Sequence, residues 1–208
     1  MGADMLARLL SALAFWFGLM ATAATAGPLH DAARSGDTTA LKALLEGGNA
    51  IEEKNSTGET ALVVACLAGQ NEAVAMLIKR GANVVARNNR GMTALHGASY
   101  AGCAECVRQL LVAGALPSDA ENRFKVTPFI VAAEENHPDI LAMLLAAGAD
   151  AEATERHGYT ALTRAGFKAR KETIAFLLKR GSQCQPAKVA GLWSGDCLKM
   201  AAETASPP

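Results

Sequence analysis

Glycine recurs along this 208-residue chain at a nearly fixed interval: Gly48, Gly81, Gly114, Gly148 and Gly181 lie 33, 33, 34 and 33 residues apart, each closing a leucine-rich stretch. Two further series keep those intervals. One is Leu29, Leu62, Leu95, Phe129 and Leu162; the other is the pairs Leu44/Leu45, Leu77/Ile78, Leu110/Leu111, Leu144/Leu145 and Leu177/Leu178. Three series in one register make the chain a stack of similar units, because a period of about 20 to 50 residues marks a solenoid or an array. A unit of that size cannot bury both its faces alone, so each depends on the next.

Within a unit, TALVVACLAGQNEAVAMLIKRGANVVARNNRG (60–91) reads as a short helix, a turn at Gly69, a second helix, a stop at Gly81 and a polar hairpin. A glycine just past the last apolar turn lets the chain leave the helix in the left-handed conformation. Half the residues are hydrophobic but only 5% are aromatic, so the core is built from Ala, Leu, Val, Ile and Met, a helix-favouring set. The Ala-rich first helix allows close approach, and the Leu pairs of the second fill the space between layers.

The stretches GPLHDAARSGD (27–37), TALHGASYAGC (93–103) and VTPFIVAAEENHPDILAMLLAAGAD (126–150) resemble the Thr-Pro-Leu-His, Ala-Ala, Gly, Leu-Leu, Gly-Ala-Asp pattern of the ankyrin repeat family. The resemblance implies an all-α solenoid of about five helix-turn-helix repeats, with hairpin fingers along one edge and a concave surface formed with the first helices. The units are expected at 27–57, 58–90, 91–124, 125–157 and 158–182. Asn136 and Ala169 replace the mid-unit glycine. Asn tolerates a left-handed backbone and Ala does not, so the last unit is expected to turn differently. In the third finger, ALPSDAENRFKVT (115–127), Lys125 stands where other units have Gly58, Gly91 or Gly158 and the unit is one residue longer. That finger is expected to protrude or bend unlike its neighbours.

The period breaks at 183–208. This segment reads as a C-terminal cap, with Leu192 and Trp193 covering the open end of the stack and the final Ser-Pro-Pro disordered. At the other end, residues 1–26 carry Arg8, an apolar run from Leu9 to Met20 and small residues ending Ala24-Thr25-Ala26, the layout of a secretory signal peptide. An uncleaved anchor is the alternative, and a start at Met5 gives a cleaner leader than Met1. The expectation is an exported, periplasmic or secreted, soluble monomer beginning near Gly27, with no membrane association after cleavage.

Charge excludes one class of function. With 20 basic and 20 acidic residues the chain has no global field for nucleic acid. No nucleophile elbow, phosphate-cradling loop or dinucleotide fingerprint is present. Zinc is disfavoured, since there is one Cys-x-x-Cys and no His-x(3–5)-His. His30 and His96 fall on the His of the family's pattern, where the resemblance implies a local hydrogen-bonding role. His137 stands at a helix start and His157 on a finger, without triad-like spacing. The adjacent pairs Glu52/Glu53 and Glu134/Glu135 point apart and read as solvated surface. Asn55-Ser56-Thr57 is a glycosylation sequon with meaning only in a eukaryote. No catalytic, cofactor-binding or metal-binding residue is therefore assigned, and the chain is not read as an enzyme.

Cysteine leaves more open. Cys103 and Cys106 lie at the start of the third unit's second helix, a setting that lowers thiol pKa. The readings are dithiol redox chemistry, a small core residue at Cys106, or a structural disulfide within the motif or to Cys66. Cys184 and Cys197, with 12 residues between them in the cap, are expected to pair. Finally, the hairpin tips share a basic character. Lys54, Arg87, Arg90, Arg123, Lys125, Arg156 and His157 project there, with Asn55, Asn88, Asn89, Met92, Phe124 and Tyr159 among them. A basic rim with apolar anchors suits an acidic patch on another protein. The candidate partner-binding residues are Lys54, Asn55, Arg90, Met92, Arg123, Phe124, Lys125, Arg156 and Tyr159. The rival functions are a thiol-redox factor using Cys103 and Cys106, and a structural solenoid that self-associates.

Overall fold

The computed structural model describes residues 27–120 and 122–205. Residues 1–26, where a leader is expected, and the closing Ser-Pro-Pro lie outside them. Among the described residues there are twelve helices and no strand: α1 Pro28–Ser35, α2 Thr38–Glu46, α3 Ala61–Leu67, α4 Asn71–Lys79, α5 Ala94–Ala101, α6 Ala104–Val112, α7 Pro128–Glu135, α8 Pro138–Ala146, α9 Ala161–Phe167, α10 Lys171–Lys179, α11 Ala187–Ala190 and α12 Trp193–Ala205. The first ten form five antiparallel pairs. The first helices α1, α3, α5, α7 and α9 stack in one row and the second helices α2, α4, α6, α8 and α10 in another. Among the described residues no helix is long and apolar enough to cross a membrane.

Local chemistry sets the helix ends. Thr60, Thr127 and Thr160 accept the backbone N–H of Val63, Ile130 and Thr163, and Thr93 shares a capping box with His96. Every first helix then turns the same way. Asp37, Gln70, Cys103, His137 and Arg170 each donate a backbone N–H to the carbonyl five residues earlier, at 3.0 to 3.1 Å. The residue before each is left-handed: Gly36, Gly69, Gly102, Asn136 and also Ala169, at φ 52°. The expectation of a different last turn is therefore corrected. The backbone bonds Ala169 N–H to Gly166 O and Arg170 N–H to Ala165 O, closed as α9 packs on α10, keep the exposed Ala169 in the shared conformation despite its Cβ.

At the tip of the third finger the neighbours' backbone is kept. Lys125 adopts φ 53° in the register of Gly58, Gly91 and Gly158, and its N–H meets the Asn122 carbonyl at 3.0 Å as Gly91 meets Asn88 at 2.9 Å. Before the tip, Asp119 N–H reaches Leu116 O as Ala86 reaches Asn83. The extra residue is thus taken up between Asp119 and Asn122, and the tip keeps its neighbours' turn.

The core is one continuous cluster running between layers. Leu29, Leu62, Leu95, Phe129 and Leu162 are all buried, as are Leu77, Leu110, Leu144 and Leu177. Each such side chain contributes about 1.5–3 kcal/mol on burial. Leu44, the first repeat's counterpart, is only partly buried, because among the described residues no repeat precedes it. At the opposite end α11 and α12 close the stack. Trp193 lies so near Gly166 that a Cβ there would come within 2.0 Å of its ring, and a Cys184–Cys197 disulfide ties the cap, with Cys197 fully buried. Leu192 was expected to share this work but is 96% exposed. One ring filling the space above Gly166 leaves no place for it.

The finger rim as candidate interaction surface

Each finger tip is built around one acceptor side chain. Asn55 Oδ1 accepts the N–H groups of Thr57 and Glu59, Asn88 Oδ1 those of Arg90 and Met92, and Asn122 Oδ1 those of Phe124 and Val126. Glu155 Oε1 does the same for His157 and Tyr159. These side chains satisfy donors the tight turn would otherwise leave unpaired. Asn55 accordingly spends its oxygen on its own finger rather than on a partner.

Adjacent tips are also joined. Asn89 N–H donates to Thr57 O at 3.0 Å and Arg156 N–H to Phe124 O at 2.8 Å. Lys54 Nζ reaches Arg87 O at 2.9 Å, and the Arg87 guanidinium pairs with the buried Asp119 carboxylate at 2.8 Å. The tips therefore form a connected edge. Lys54, Arg123, Lys125 and Arg156 are exposed on it, and Arg90 is partly exposed. The Arg123 guanidinium lies 5.6 Å from the centre of the Phe124 ring, which is itself half sunk against the core. Tyr159 is partly buried edge-on against Phe167, ring centres 5.1 Å apart. Met92 requires correction: it is 0% exposed, sealed in the core just inside its tip, and offers a partner nothing.

His30 and His96 act as pegs between repeats. His30 Nε2 bonds the carbonyls of Glu53 and Glu59, and His96 Nε2 that of Val126 at 3.0 Å while its Nδ1 accepts Thr93 N–H. Burial lowers the His96 pKa below its ordinary value.

The row of first helices holds what the sequence reading missed. Glu134 is fully buried in α7 and paired with Arg164 of α9. Glu135 is partly buried and faces Arg170 at 3.7 Å, while Arg170 Nε donates to Glu134 O at 2.6 Å. The solvated reading of Glu134/Glu135 is thereby overturned. Burial pushes both carboxyls above their ordinary range, opposed by the neighbouring cations. Adjacent glutamates carry no local signal for this, because their partners stand about 30 residues away on the next repeat.

Cys103 and Cys106 form a disulfide across the first turn of α6, and Cys66 stays a free, buried thiol whose pKa burial pushes up. A bridge to Cys66 is thus not what the structure contains. Among the described residues no group of three or more His, Cys, Asp or Glu is placed to hold a metal ion.

Two family models match the chain. One, described as ankyrin repeats (3 copies), covers residues 29–121; another, ankyrin repeats (many copies), covers 110–165. No curated protein matches.

Proposed function

Because the chain belongs to the ankyrin repeat family, we propose that it is an exported interaction module whose basic finger rim and concave helix face dock an acidic patch of another protein. The family match supports protein–protein interaction in general; the rim supports the choice of surface. The observation that carries the reading is the arrangement of Lys54, Arg123, Lys125 and Arg156, exposed on tips fastened by an Asn or Glu acceptor side chain and by bonds from finger to finger. A cationic edge already held in place loses little freedom on binding, and its charge speeds encounter with an anionic partner. Phe124, half exposed beneath Arg123, supplies an apolar anchor amid the charge. The role asks no chemistry of the rim, and it fits a monomer acting in the periplasm or outside the cell.

The test is retention of partners from an envelope extract by the chain, run beside an Arg123→Glu/Phe124→Ala/Lys125→Glu variant. One protein held by the wild type, released by salt and absent from the variant is the expected result. Retention of the same protein by the variant would overturn the choice of surface.

A further inference from the structure

The helix-to-helix turns lie at the end of each repeat away from the fingers, and they set one residue each in a row: Asp37, Gln70, Cys103, His137 and Arg170, the N-caps of α2, α4, α6, α8 and α10. Most of the row ties one repeat to the one before. Gln70 Nε2 donates to Arg34 O at 3.2 Å, His137 Nε2 meets Tyr100 O at 3.4 Å and Arg170 Nε donates to Glu134 O. In the third repeat the position holds a sulfur that lies 3.8 Å from Gly69 O of the repeat before and is bonded to Cys106.

That bridge has little structural work to do. It spans a separation of three residues inside a helical turn whose backbone is already hydrogen-bonded, so it restricts the unfolded chain little. The cap bridge, by contrast, closes a separation of 13 residues around short α11 and the start of α12. The two sulfurs of the first-turn bridge also differ in access. Cys106 is fully buried, whereas Cys103 is partly exposed at the turn, between Gly69, which has no side chain, and Gly102, over which the His137 ring sits. Cys103 Sγ already accepts the Cys106 N–H at 3.2 Å at the start of a nine-residue helix, a donor and a dipole that would hold a thiolate there.

We propose that Cys103–Cys106 is a thiol–disulfide exchange site that takes two electrons from the dithiol of a partner protein. A partner thiolate attacks Cys103 Sγ; the bond to Cys106 breaks, and Cys106 leaves as a thiolate and takes up a proton. The partner's second thiol, on losing its proton, attacks the partner sulfur of the mixed disulfide. Cys103 is released as a thiolate held by the Cys106 N–H. The partner departs oxidised with a disulfide, and the pair is left reduced with both protons accounted for. The site lies at the opposite end of each repeat from the finger rim, so it stands or falls separately from the surface proposed above.

The experiment is a glutathione redox titration of the purified protein, read by alkylation and peptide mapping, together with glutathionylation rates of Cys106→Ser and Cys103→Ser. Cys103–Cys106 is expected to open at a glutathione ratio about tenfold or more less reducing than Cys184–Cys197 requires. In the variants, Cys103 is expected to react with oxidised glutathione about tenfold faster than Cys106. Opening of both bridges together, or no faster reaction at Cys103, overturns the proposal. Should a variant fail to fold, the wild-type titration decides alone.

Discussion

Glu134 in α7 and Arg164 in α9 form an ion pair whose side chains are 1% and 7% exposed, joining the fourth repeat to the fifth through the inner row of helices. Removing either partner strands the other charge in the interior, and Arg164→Ala is expected to lower stability by about 3–5 kcal/mol. Replacing both by apolar residues of similar size, as in Glu134→Met/Arg164→Leu, should recover most of that loss. Chemical denaturation of the single and double variants measures it, and a mild effect of the single variant would mean the pair is not sealed from water.

His96 gives the fold a pH dependence of definite sign. Its pKa lies below the ordinary 6.5 chiefly because it is buried; the Val126 carbonyl and Asp119 oppose the shift and Arg87 adds to it. The unfolded chain therefore binds the proton more readily than the folded one. Stability from neutral His96 is fully present above about pH 6.5 and is lost as pH falls through the lower folded value. Between about pH 7 and pH 5 the wild type should lose more stability than a His96→Gln variant. Parallel losses would assign the acid sensitivity elsewhere.

Ala169 sits at φ 52° where three sister repeats have glycine. Its Cβ opposes the left-handed turn, while glycine would add some freedom to the unfolded chain. Ala169→Gly is expected to stabilise by a net of about 0.5–1 kcal/mol. The urea midpoint should rise with the slope unchanged.

Gly166 leaves the space that the Trp193 ring occupies, with ring atoms 2.0 to 2.5 Å from where a Cβ would stand. Gly166→Val is expected to displace the cap and cost about 1–3 kcal/mol. Trypsin should then cut faster at Lys188 and Lys199. Unchanged cleavage would show that the ring finds another seat.

The rim and the concave face were legible to different degrees. Lys54, Arg123, Lys125 and Arg156 are exposed as their place on polar hairpins suggested, because exposure there follows from the local run of residues. Met92 and Asn55 misled for a shared reason. Both lie on a finger, but the tight turn directs one side chain into the core and uses the other as its own acceptor.

The sequence by itself determined the repeat, its register, the helix pairs and the positions of the turns, since glycine spacing and leucine periodicity act within one unit and are written in order along the chain. Tertiary structure alone decided the contacts that join units. Glu134 met Arg164, Arg87 met Asp119, Trp193 settled over Gly166, and Ala169 was held in a left-handed turn its own chemistry disfavours. The physical reason is that stacking buries each repeat against a neighbour some 33 residues away, so the burial of Glu134 and Asp119, and with it their pairing with Arg164 and Arg87, is set by a layer that no local pattern describes.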